Sequence, residues 1–174
     1  SAKGLRQVPL SEFYLGYKKK DLKLDEIVQA VRFRRLRDKV PFFRTYKVAN
    51  RKDLDISVVS LAGFLELDWD HRKIVGAKFS LGGVAEKVIR LEQQEKQFAG
   101  LSLDLFSDES QKEAFLKPWI ESIVQQLAPL SDVRGSSQYR KILVRNLLGK
   151  FFFEFADFQD GSDQQFVVKG EANQ

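Results

Sequence analysis

The sequence predicts an α+β fold: a small antiparallel sheet of three or four strands covered on one face by about three helices. Two observations carry this. Period-two segments fill the first half of the chain, and helical stripes fill the second. Glycine and proline fall at the joints between them.

The elements follow in order. Ile27 to Phe33 is rich in β-branched and aromatic residues and reads as a strand that ends by Pro41. Phe43 to Ala49 is a second strand, followed by the polar loop Asn50–Asp55. In the apolar stretch Ile56–Trp69, Leu65, Leu67 and Trp69 alternate with Glu66 and Asp68, the pattern of a half-buried strand. Asp70-His71-Arg72 is a turn. Val75, Ala77, Phe79 and Leu81 form the returning strand of a hairpin, which stops at Gly82-Gly83. Ala85–Phe98 is expected to be helical, and residues 101–117 show no regular pattern. Pro118 is expected at the first position of a helix, where its missing N–H is harmless. The apolar stripe of that helix is Trp119, Ile120, Ile123, Val124 and Leu127, and Pro129 closes it. Ser136 or Ser137 caps a last helix with the stripe Tyr139, Ile142, Leu143, Leu147, Phe151 and Phe155. Phe152 and Phe153 widen that stripe and call for a second layer of protein beside it. The tail after Phe158 is polar and is expected to fray.

Composition narrows the chemistry. The chain of 174 residues contains no cysteine, which excludes disulfides, thiolate metal sites and thiol nucleophiles within it. The lone His71, set in a turn, cannot build a metal site or a Ser–His–Asp triad by itself. No Walker loop and no GxGxxG is present. The pairs Asp53/Asp55 and Glu66/Asp68 lack an environment that would split their pKa values for acid–base work. The formal net charge is +5, concentrated in Lys18–Lys20 and in Arg32, Arg34, Arg35, Arg37 and Lys39. Such runs are ordinarily solvated surface, and otherwise they favour anionic partners. No segment has the length and apolarity of a membrane span or a signal peptide, so a cytoplasmic protein is expected. The start at Ser1 and the absence of methionine suggest a piece of something longer.

Four segments in sequence order resemble one family. VPLSEFYLGYKKKDLKLDEIV (8–28) is similar to the end of the FAD-binding half of the xanthine dehydrogenase and carbon monoxide dehydrogenase flavoproteins. FRTYKVANRKDLDIS (43–57) resembles their flavin-side strand and loop, and AKFSLGGVAEK (77–87) resembles their G-G-[MV]-A strand end. PLSDVRGSSQYRKILVRNLLGKFFFEF (129–155) resembles their terminal S-D-x-R-[AG]-S-x-x-Y-R helix. The resemblance implies the C-terminal subdomain fold of a CO dehydrogenase flavoprotein over 41–158. Residues 1–40 would then be the end of the FAD-binding half with a connecting segment, and 159–174 a tail.

The resemblance further implies FAD that passes electrons from [2Fe–2S] clusters to NAD⁺, with a molybdenum cofactor on another domain or subunit. Lys47 matches a lysine that approaches FAD, and Val28 matches an aliphatic position that meets the cofactor by its backbone. Arg51, Lys52, Asp53, Leu54 and Asp55 match the loop near the isoalloxazine ring. Vertebrate members have an acid where this chain has Leu54, so a loop-driven switch between NAD⁺ and oxygen is not carried over. The family's glycine-rich phosphate loops do not occur in this sequence, so the chain is not expected to be active alone. Its expected partners are the FAD-binding half, the iron–sulfur domain and the molybdenum subunit, with self-association where those are missing. The competing reading is a free-standing basic α+β module for nucleic acid or an acidic protein, with Tyr46 between Arg44 and Lys47 as its one stacking platform.

Overall fold

The computed structural model describes residues 4–33, 41–51 and 54–159. Near the N-terminus, the single turn α1 (Leu10–Phe13) leads into a small hairpin, β1 (Tyr14–Gly16) with β2 (Lys19–Lys20). The main sheet is an antiparallel meander in the order β3 (Phe42–Val48), β4 (Val59–Asp68), β5 (Lys73–Gly82) and β6 (Ile89–Arg90). The short helices α2 (Glu92–Glu95) and α3 (Asp104–Ser107) and a 3-10 turn at Lys96–Phe98 follow. Two long helices, α4 (Glu109–Gln126) and α5 (Ser137–Gln159), complete the fold.

Period two decides which face of the sheet is covered. Val59, Leu61, Leu65 and Leu67 of β4 point inward and are fully buried. A Cβ on Gly63, the inward position between them, would lie 2.6 Å from one Phe151 ring carbon and 3.0 Å from another. The absence of a side chain there lets α5 sit against the strand. Around it, Phe42 meets Phe151, Phe155 and Phe158 with ring centroids 5.0–5.2 Å apart. Phe79 contacts Phe98, Trp119, Phe151 and Phe152. Glu95 serves the edge of the sheet. It accepts the Phe79 N–H at 2.7 Å and a two-pronged Arg90 at 3.0 and 2.6 Å, so its buried carboxylate is paired.

Several expectations are corrected. Ile27–Phe33 forms no strand and pairs with none among the described residues. Ala85–Phe98 is not one helix: Ile89 and Arg90 pair with Leu81 and Ser80, and only one α turn follows. The helix expected at Pro118 begins at Glu109, within the stretch without pattern. Its start signal is Asp108, whose side chain accepts the Gln111 N–H at 2.8 Å, and Pro118 sits on the exposed side of the helix interior. In α5 the expected stripe holds at Leu147, Phe151 and Phe155, which are buried, and fails in the first turns. Tyr139 and Ile142 are exposed, whereas Arg140, Val144, Leu148 and Phe152 are buried. Phe152 stacks on Phe98 and Phe106, so its second layer comes from this chain, and Phe153 is exposed. The tail expectation for 159–174 falls, after Gln159, outside the described residues.

Candidate functional site

The face of the sheet away from the helices is built from the other parity. Lys47, Ser60 and Gly82 form one cross-strand row, and Thr45, Ala62 and Ser80 form the next. Phe43, Phe64 and Lys78 form a third. The first two rows place small side chains beside one exposed lysine, giving a shallow surface on which a flat ring can lie close to the backbone.

At the end of β3, Lys47, Val48, Ala49, Asn50 and Arg51 line an open hollow. Its shape comes from a closed loop. The Val58 N–H donates to the Val48 carbonyl at 2.7 Å and brings the two ends of the loop together. Inside it, the Asp55 carboxylate accepts the Arg51 N–H at 2.9 Å and the Ile56 N–H at 2.8 Å. The Arg51 amide bond, followed by that of Ile56, pulls the Asp55 pKa below its ordinary value, so the carboxylate stays charged where it organises the backbone. Leu54 takes positive φ (52°) at the tip and is fully exposed.

A buried arginine fixes the base of the loop. Arg140 of α5 is 4% exposed. Its Nη1 donates to the Val58 carbonyl and, at 2.7 Å, to the Gly83 carbonyl, while Nη2 meets Asp132 at 2.6 Å. Gly83 has φ +80°, and a Cβ there would run into the Val58 carbonyl, so this crossing requires glycine. The N–H groups of Arg134 and Gly135 and the side chain of Arg140 lower the Asp132 pKa, the first of them most strongly. Asn50 also reaches the Arg134 carbonyl, at 3.4 Å.

Among the expected site residues, Lys47 and Arg51 share the hollow. Asp53 and Lys52 lie outside the described residues. Val28 lies in the N-terminal segment before β3 and is not part of the lining. Tyr46, proposed as a stacking platform, has the inward parity, and its hydroxyl donates to Glu154 at 2.9 Å. The small open-face residues Thr45, Ser60, Ala62 and Ser80 were not anticipated, although the parity of Lys47 would have found them.

The donor set fits the ring end of a flavin better than its phosphates. Lys47 and the small-residue face suit a planar polar ring. A pyrophosphate is commonly held by free backbone N–H groups at a helix start, and both long helices commit part of theirs to their own caps. The first turn of α4 is capped by Asp108, and that of α5 by Ser136 and Ser131, at 3.1 and 2.8 Å. Among the described residues there is no cluster suited to a metal ion, and no helix is long and apolar enough to cross a membrane.

Residues 44–155 match the sequence family described as the CO dehydrogenase flavoprotein C-terminal domain. The chain is 28% identical over 154 residues to the xanthine dehydrogenase FAD-binding subunit of Escherichia coli O157:H7, spanning 88% of this chain and 49% of that protein. It is 31% identical over 162 residues to the glyceraldehyde dehydrogenase medium chain of Sulfolobus acidocaldarius, spanning 90% of this chain and 51% of that one. The crystal structure of quinoline 2-oxidoreductase from Pseudomonas putida 86 shares the fold, with TM-score 0.66 and 22% identity over 91% of this chain and 50% of that one. The chain thus spans about half the length of the separate subunits that it matches.

Proposed function

This chain belongs to the CO dehydrogenase flavoprotein C-terminal domain family, and from that premise we propose that it is the C-terminal part of the FAD-binding subunit of a xanthine dehydrogenase-type oxidoreductase. In this reading it helps to hold FAD, which passes electrons from [2Fe–2S] clusters to NAD⁺ in the cytoplasm, with the molybdenum cofactor on another subunit. The observation that carries the reading is the match of residues 44–155 to the flavoprotein C-terminal domain, and Lys47 and Arg51, which border the shallow hollow at the end of β3, are the residues through which it would meet the cofactor.

Each residue has a chemical task. Lys47 supplies a positive charge and donors to the polar edge of the ring. Arg51 borders the same hollow through the loop that Asp55 holds closed. Asp53, in that loop by sequence, and the Val28 backbone complete the proposed contacts. The phosphate end of FAD is left to the half of the subunit that this chain does not span. The isolated chain therefore binds FAD weakly, and it self-associates through exposed apolar residues such as Phe43 and Val75.

The test is Lys47→Ala in the assembled flavoprotein. A charge-assisted hydrogen bond contributes about 1.5–3 kcal/mol, so FAD retention falls by roughly 10- to 100-fold. Lys47→Glu is worse, because it adds repulsion. Lys73, exposed at the start of β5 where the row partner is Asp68, is the control. Flavin content after gel filtration is the readout, with thermal melting followed separately. Equal flavin content in Lys47→Ala, Lys47→Glu and Lys73→Ala removes Lys47 from the site.

A further inference from the structure

Arg140 occupies the end of the sheet beside the hollow. The β4–β5 register stops at Ser60 and Gly82. Just beyond it, the Val58 and Gly83 carbonyls both accept from Arg140 Nη1, so a guanidinium from the helix layer stands where a strand-to-strand bond would be. Gly83 leaves room for it, since a Cβ there would lie 3.3 Å from the same nitrogen.

The same side chain ties the loop after β3 to the turn before α5. Val58 closes that loop with its N–H on the Val48 carbonyl, and its own carbonyl goes to Arg140. Asp132 holds Arg140 Nη2 at 2.6 Å and belongs to a closed turn. Asp132 and Gly135 exchange backbone bonds of 3.1 and 3.2 Å, and the Asp132 carboxylate accepts the Arg134 N–H at 2.9 Å. Gly135 lies against Val58, where a Cβ would stand 3.2 Å from the valine side chain, and the Asn50 amide reaches the Arg134 carbonyl. The turn thus meets the loop near both of its ends.

Hydrogen bonds are directional, so a buried polar network specifies one arrangement where apolar packing would tolerate several. Arg51 rides on the loop held in this way and borders the hollow together with Lys47. Lys47 is fixed independently, by its place opposite Ser60 in the β3–β4 ladder. Releasing Val58 from Arg140 therefore moves Arg51 relative to Lys47.

We propose that Arg140, with Asp132, is a positioning residue for the cofactor: it does not border the hollow itself, but it sets where the loop presents Arg51 to the flavin. This inference rests on the proposed flavoprotein reading.

The test is Arg140→Lys in the assembled flavoprotein. Lysine keeps the charge but has one nitrogen, so it cannot serve both carbonyls and Asp132 together. Leu103→Ala is the control for lost stability. Leu103 is fully buried, and its N–H meets the Arg72 carbonyl at the opposite, hairpin end of the sheet. Losing one charge-assisted contact weakens binding by about tenfold, so Arg140→Lys should lower flavin retention by that factor. It should also shift the visible spectrum of the flavin that remains, and Leu103→Ala should do neither. Hydrogen exchange reads the loop without flavin, in this chain alone. The Arg51, Ile56 and Val58 amides, all bonded within the closed loop, should exchange at least about tenfold faster in Arg140→Lys and at the unaltered rate in Leu103→Ala, because local opening is separate from global stability. Where Arg140→Lys does not fold, Asp132→Asn carries the same test, since it keeps an acceptor for the turn and removes the charge that holds Nη2. Loop amides that do not respond overturn the inference, and so do loosened amides with unchanged flavin content and spectrum. Equal effects in Leu103→Ala overturn it as well, since Arg140 would then act through stability alone. Flavin bound in the unaltered assembly but indifferent to Arg140 sinks only the positioning role. An unaltered assembly without flavin sinks the flavoprotein reading, and the cofactor role with it.

Discussion

At the scale of single residues, two side-chain environments make firm demands. Gly63 sits in the middle of β4, opposite Arg44 on one side and Phe79 on the other, under the Phe151 ring. Gly63→Val forces that ring or the strand to move. Overpacking of this kind costs about 1–3 kcal/mol, and urea unfolding should show the midpoint fall without a change in slope. Glu26 makes a different demand. The Arg6 fork, followed by the Lys23 N–H, lowers its pKa from 4.5 to about 2. Because the folded value is depressed, its contribution is complete above pH 4.5 and disappears as pH falls through about 2. A carboxyl NMR titration should put the Glu26 midpoint near the lower value, and Arg6→Gln should return it towards the upper one. A midpoint near 4.5 in the unaltered chain would mean that Arg6 does not engage it.

At the scale of elements, Arg140 links α5 to β4 and to the turn after β5. Arg140→Leu would leave the Val58 and Gly83 carbonyls without this donor and Asp132 without one of its cationic partners, a loss on the order of 2–4 kcal/mol. Asp132 is partly exposed, which keeps the loss at the lower end of what a fully buried pair would give. Equilibrium unfolding measures it, and a change below about 0.5 kcal/mol, the usual range for surface positions, would refute the assignment. The meander was legible in the sequence because β4 alternates strictly between a buried face and an open one, and β5 does so from Ala77 to Leu81; at the register shift by Leu67, Ile74 is buried in place of the expected Val75. The helices were less so. Asp108 hides its capping role in a polar run, and the burial of Arg140 depends on two carbonyls far away in sequence, so periodicity found Leu147, Phe151 and Phe155 but took Tyr139 and Ile142 for the buried face of the first turns. Ile27–Phe33 was misread because β-branched and aromatic composition marks propensity and does not supply a neighbour to pair with, and none pairs with it among the described residues. For the site, parity around Lys47 was readable from sequence, whereas the closing of the Asn50–Val58 loop on Asp55 and Arg140 was not.

At the scale of the whole molecule, the sheet is made of neighbours along the chain, and its cover is not. Phe151, Phe152, Phe155 and Phe158 are all buried, and three of them pack on Phe42. A chain ending at Leu148 therefore keeps every strand and loses the cover. It should show no cooperative thermal transition by circular dichroism, and a sharp one would show that α4 and the short helices suffice. The same contact sets a timetable during synthesis. The residues that close over Phe42 are made about 110 positions later, and at roughly 5–20 residues per second a ribosome needs about 5–20 seconds to reach them. Throughout that interval the nascent meander presents a phenylalanine-lined face to the cell. The chain thus has a built-in period of exposure during synthesis, and its length is fixed by the position of α5 in the gene.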